Sequence, residues 1–376
     1  MEQSPAYLES KNHYPILDGL RGVAALIVVV FHVFETYSGT RFKQIINHGY
    51  LAVDFFFLLS GFVVAYAYDD RWGKMGQWDF YKRRLIRLQP MVIMGSIIGA
   101  LFFYLQGGPF FPLINQTSIW HLLLIMLVGF TMLPLPISMD IRGWQEMHPL
   151  NGPAWSLFFE YIANILYALF VRKFSNKVLG VFVVLFAGMM VYYLLAGPKG
   201  DLIGGWSLNA EQLNIGFTRL LFPFFGGVLL CRLGKLIQIK NAFAVCSLLI
   251  VVVLFIPRIG GEQHLWMNGL YESFAVIIMF PLIVSIGAGG SLTGKFATKV
   301  CKWLGDISYP IYITHYALIY WYTSWVVTNK VPMSYGLWVG AGLFISAIAI
   351  AYACLKLYDE PVREWLKKRF LIKKAG

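Results

Sequence analysis

Residues 17–35 read LDGLRGVAALIVVVFHVFE. Between Arg21 and His32 stand ten residues, none of them charged. A helix needs ~20 residues to cross a bilayer, and the run 22–38 supplies most of such a span. The polar stretch before it, MEQSPAYLESKNHYPILDGLRG, has no cleavable pattern, so the run is expected to be a retained first helix. Further apolar segments fall near 48–68, 90–106, 119–137, 154–171, 178–196, 215–231, 242–256, 270–289, 307–328 and 335–358. Lipid admits only helices and closed barrels, and runs this continuous are helices. The expected fold is an all-α, polytopic transmembrane bundle.

Composition agrees. Of 376 residues, 58% are hydrophobic and 13% charged, and mean hydropathy is +0.63. That excludes a disordered chain, a disulfide scaffold and a soluble enzyme. The net charge of +12 reads as basic residues kept in cytoplasmic loops rather than as a nucleic-acid surface. Cys231, Cys246, Cys301 and Cys354 show no CxxC spacing, so no metal site is expected. With no internal repeat, low-complexity stretch or linker, residues 1–376 read as one domain, 359–376 forming a basic cytoplasmic tail.

Loop charges set the orientation. The stretch 69–89 and the tail after Tyr358 each hold six Lys or Arg; loops 172–177, 232–241 and 290–304 hold three each. Loops 107–153, 197–214, 257–270 and 329–334 hold one each. Both termini are therefore placed in the cytoplasm, and the protein in the inner (cytoplasmic) membrane. Three segments between 69–89 and 172–177 cannot return the chain to the same side. Pro134 and Pro136 break the outer part of 119–137, which is read as re-entrant or interfacial. About ten crossings remain.

Ionisable residues inside apolar runs are costly and face a cavity or a partner. His32 stands eleven positions after Arg21, which returns to almost the same helix face ~16 Å further along. Glu35 follows on a neighbouring line. Asp54 and Glu160 each lie about six residues below the outer ends of their helices, so His32, Asp54 and Glu160 are expected at one level, ~9 Å deep. A carboxylate beside a histidine fixes its tautomer and strengthens it as a base. The same three residues could instead hydrogen-bond only to hold helices together. Arg219 and His315 are single charges on later helices that could serve the same cavity or act as structural ties. At the mouth of the third segment, Lys82-Arg83-Arg84-Leu85-Ile86-Arg87 puts Arg84 and Arg87 on one face. Arginine suits bidentate phosphate binding, while basic clusters at helix mouths commonly set topology and touch anionic lipid.

These residues sit in LDGLRGVAALIVVVFH (17–32), GYLAVDFFFLLSGFVV (49–64), FYKRRLIRLQP (80–90), GPAWSLFFEY (152–161), RLLFPFFGG (219–227) and WLGDISYPIYITH (303–315). In that order, over nearly the whole chain from Tyr14, they resemble the integral-membrane acyltransferase 3 family of O-acyltransferases. The resemblance implies a cytoplasmic acyl-CoA donor (commonly acetyl-CoA) and a carbohydrate or lipid-linked glycan acceptor such as an O-antigen or exopolysaccharide. It assigns His32 as the essential catalytic residue, with Arg21 in the same motif, and Arg84 and Arg87 to donor use. Many relatives carry a second glutamate after the position of Glu160, where this chain has Tyr161. Some also carry a fused extracytoplasmic domain; this chain stops eighteen residues after its last apolar segment, so a separate extracytoplasmic partner is one expectation.

The expected mechanism has the acyl-CoA phosphates on Arg84, Arg87 and Arg21. His32, oriented by Asp54 or Glu160, either deprotonates the acceptor hydroxyl or briefly carries the acyl group. No metal and no permanently bound cofactor is expected. The alternative is a proton-coupled transporter using His32, Asp54 and Glu160 as a relay; the sequence shows no inverted repeat to support it.

Overall fold

The computed structural model describes residues 13–371, and its elements are helices. They are α1 (Pro15–Glu35), α2 (Ala52–Tyr68), α3 (Gln77–Phe102), α4 (Ile119–Gly129), α5 (Ala154–Leu169), α6 (Asn176–Ala196) and α7 (Ala210–Leu233). The second half holds α8 (Ala242–Phe255), α9 (Leu265–Phe274), α10 (Phe280–Gly289), α11 (Lys295–Thr314), α12 (Tyr316–Thr328), α13 (Met333–Cys354) and α14 (Glu360–Phe370). Among the described residues, eight helical stretches are long and apolar enough to cross a membrane. The fold is the polytopic all-α bundle expected.

Helix α4 has 11 residues, ~16 Å, about half of a hydrocarbon core. The chain after it, 130–153, holds one short 3₁₀ turn, Ile137–Met139, and is otherwise irregular. Asp140 pins its turn by accepting from the N–H groups of Arg142, Gly143 and Gln145.

Two helix pairs pack most closely, α2 with α7 and α1 with α11. At the first, a Cβ on Gly61 would lie 2.0 Å from the Phe224 carbonyl oxygen, and one on Gly227 would lie 2.1 Å from that of Leu58. Only glycine permits this backbone approach, which in lipid replaces the hydrophobic drive for helix association.

Three interruptions shape the second half. Five-residue π turns, Ala275–Met279 and Leu355–Asp359, precede Pro281 and Pro361. Each proline ring would clash with a carbonyl four residues back, inside the widened turn. The second π turn joins α13 to α14, so residues read as a tail from 359 onward continue as helix to Phe370. The third interruption falls at His315. Its Nδ1 donates to the carbonyls of Ile311 (2.9 Å) and Tyr312 (3.0 Å), drawing on acceptors that a continuous helix would use.

Candidate active site

Helices α1 and α11 face one another along their length. On α11, Ser308, Tyr312 and His315 follow i, i+4, i+7 spacing and form one stripe. At one end the Arg21 Nε–H donates to Ser308 Oγ at 2.9 Å. At the other the rings of His32 and His315 stack, centroids 5.7 Å apart and 26° from parallel. Between them the Tyr312 hydroxyl bonds Ser156 Oγ at 2.8 Å. The Arg21–His32 register thus opens a two-ended seam with basic chemistry at one end and imidazoles at the other.

At the His32 end, His32 Nδ1 lies 2.7 Å from Glu35 Oε2, its neighbour one turn on. A carboxylate there holds the proton on Nδ1 and leaves Nε2 with a lone pair. His32 is 17% exposed at its side chain, whereas His315 is fully buried. With its Nδ1 proton on two carbonyls, His315 presents Nε2 as an acceptor without a partner. Tyr316 sets its ring edge-on to His32 at 4.8 Å and to Tyr320 at 4.6 Å. Tyr320 donates its hydroxyl to Glu146, 2.7 and 2.6 Å from the two carboxylate oxygens. Arg142 stacks 3.4 Å above the Tyr320 ring and donates to Gln106 Oε1 at 2.7 Å. Glu146 and His148 lie in the 130–153 segment. Burial pushes the Glu146 carboxyl up to about 7 and the His148 imidazole down to about 4, each toward its neutral form.

At the Arg21 end, Arg21 Nη2 bonds Asp18 Oδ1 at 3.1 Å. Arg84, 5% exposed, bonds Glu160 Oε1 at 2.7 Å through Nη2, and the Ser60 hydroxyl donates to the same oxygen at 2.9 Å. Arg87 is exposed, and the charges of Arg84 and Arg21 both act on it. The three arginines expected to share a site are therefore brought together.

The expected level of His32, Asp54 and Glu160 is not how the fold pairs them. Glu35, not Asp54 or Glu160, orients His32. Asp54 is buried against Arg219, with Nη2 2.7 Å from Oδ2 and Nε 3.3 Å from both oxygens. Arg219 spends its other N–H groups on the carbonyls of Tyr50 (2.6 Å) and Gly204 (3.2 Å). Glu160 belongs to the arginine end. Equal residue counts from helix starts fix neither the offset nor the facing of one helix against another, so they do not mean equal levels. Glu146 and Tyr316 had no sequence pattern to mark them; the Ser308–Tyr312–His315 stripe did.

This is a multi-pass helical membrane protein with a partly exposed histidine–carboxylate pair at one end of a helix seam and an arginine cluster at the other. The chain belongs to the acyltransferase 3 family, whose model, described as an acyltransferase domain, matches residues 14–356. It is 34% identical to "Protein 2 in picA locus" of Rhizobium radiobacter over 184 residues, 47% of this chain and 90% of that protein. It is 26% identical over 346 residues to the O-acetyltransferase OatA of Staphylococcus aureus, covering 88% of this chain. The chain spans about half the length of that relative, 53%. No solved structure matches it.

Proposed function

We propose that this membrane acyltransferase moves an acyl group, most simply acetyl, from acyl-CoA to a hydroxyl of a carbohydrate or lipid-linked glycan. The observation that carries the reading is the seam itself: a histidine held by Glu35 at one end and three arginines ~16 Å away at the other. The arginines take the donor phosphates, in charge-assisted hydrogen bonds. The thioester arm runs along the seam toward His32. There Nε2 removes the acceptor proton, the oxygen attacks the thioester carbonyl, and coenzyme A leaves as a thiolate that the imidazolium reprotonates. Glu35 keeps the imidazole in register and stabilises its positive form. Glu160 holds Arg84 in place, and Asp54 clamps α2 to α7 through Arg219.

The donor end is placed in the cytoplasm, with both termini, because the Lys- and Arg-rich loops lie there. Single cysteines at Asn176 and Gln116 test this: only the latter should react with an impermeant reagent from outside. Transfer of label from radioactive acetyl-CoA into a membrane glycan fraction tests the activity. Absence of label from both glycan and hydrolysed acetate in active membranes would overturn the reading.

A further inference from the structure

Arginines of this protein bind carboxylates with different numbers of their N–H groups. Arg219 and Arg232 use Nε together with a terminal nitrogen, on Asp54 and Asp69, and give remaining N–H groups to carbonyls. Arg84 and Arg363 reach their carboxylates through Nη2 alone, at 2.7 Å to Glu160 and 3.1 Å to Asp359. In both, Nε–H is buried with no acceptor, as it is in neighbouring Arg83 and, away from this cluster, in Arg258, which pairs with Asp201. Buried donors are normally satisfied. Three unpaired guanidinium N–H groups at one end of the molecule call for a ligand rich in anionic acceptors.

Arg363 reaches that end from the far side of the sequence. The π turn Leu355–Asp359 and α14 pack against α3, the helix of Arg83, Arg84 and Arg87. Asp359 is 1% exposed, with Oδ1 unpaired, and the charge of Arg87 acts on it. Tyr309, whose hydroxyl donates to the Leu88 carbonyl at 2.7 Å, lies within electrostatic reach of Asp359, Glu160 and Arg84 alike. Arg21 thus rests on Asp18, Arg84 on Glu160 and Arg363 on Asp359, gathered about the exposed Arg87.

We propose that Arg363 is a further phosphate-binding residue of the donor site, and that Asp359 is the counter-ion that holds it until the donor arrives. This rests on the reading of Arg21, Arg84 and Arg87 as the donor-phosphate cluster. The π turn places both residues: it re-phases the helix so that Asp359 faces α3 while Arg363, four residues on, reaches the same rim.

Binding of coenzyme A to the purified full-length protein in detergent tests this without any acceptor. Arg363→Gln should weaken binding about tenfold or more, Arg363→Lys less so, and the salt dependence of binding should become shallower. Asp359→Asn should act in the opposite direction and tighten binding several-fold, because a competing anion is gone. Weakened binding in both Asp359→Asn and Arg363→Gln, with lowered unfolding temperatures, would assign the pair to helix packing and overturn the inference. If Arg84→Ala and Arg87→Ala weaken binding but Arg363→Gln does not, the inference alone falls. If none of the three weakens it, the donor-site reading falls as well.

Discussion

The α2–α7 and α1–α11 pairs are built alike and used differently. Both are brought together by glycines that let one backbone touch another. Both bury ionisable side chains. In α2–α7, the Asp54–Arg219 pair is closed: the guanidinium is spent on Asp54 and two backbone carbonyls. In α1–α11 the polar groups are left open. His315 Nε2 has no partner, His32 is partly exposed with one ring nitrogen on Glu35, and Arg21, bonded to Ser308 and Asp18, acts together with Arg84 on the exposed Arg87. A saturated buried pair holds a fold, whereas an unsaturated set at a reachable surface is equipped to meet a substrate.

The sharpest way to break this contrast is at His32. His32→Ala should lower acyl transfer by about a hundredfold to ten-thousandfold, the range of general-base catalysis, with unchanged expression and donor binding. Glu35→Gln should lower turnover by a smaller factor and leave the half-saturating acyl-CoA concentration unchanged. Near-normal transfer by His32→Ala would place the chemistry elsewhere.

Next in size is the closed pair. Asp54→Leu leaves Arg219 buried without its counter-charge and should cost about 3–5 kcal/mol of stability, read as loss of folded protein in detergent. Adding Arg219→Met should recover much of it, since a buried pair is often replaceable by apolar groups of similar size. A folded, stable Asp54→Leu protein without activity would move Asp54 into the chemistry and erase the contrast.

The donor end should respond more modestly. Arg84→Ala or Arg87→Ala should raise the acyl-CoA needed for half-maximal rate by roughly ten- to a hundredfold, as loss of a charge-assisted contact worth ~1.5–3 kcal/mol predicts. Arg84→Lys should restore part, because an ammonium cannot form the bidentate fork. Contact with anionic lipid alone would leave saturation unchanged in detergent and in liposomes.

The smallest effect concerns Glu146. Its carboxyl titrates near 7, above its ordinary range, because burial disfavours the charged form. Its contribution to stability is thus full below the ordinary carboxylate range and is lost as pH rises through about 7. Glu146→Gln should flatten the fall in unfolding temperature between about pH 5 and 8. An unchanged profile would show that Tyr320 and Arg142 hold Glu146 ionised throughout.

The sequence by itself determined what depends on local order. Helical runs followed from apolar length, the shortness of the helix in 119–137, which ends at Gly129 ahead of Pro134 and Pro136, was legible in those prolines, and the Arg21–His32 stripe followed from a rise of ~1.5 Å per residue. The gathering of Arg21, Arg84 and Arg87 also followed from positions near helix mouths. Only the tertiary structure decided which carboxylate meets which cation. Pairing depends on how far one helix slides past another, and that offset is set by non-local contacts. Glu160 meets Arg84 where α5 packs against α3, and the glycine crossing of α2 and α7 carries Asp54 to Arg219. Glu35, one turn from His32, needed no such contact: its pairing was already present in the spacing of a single helix.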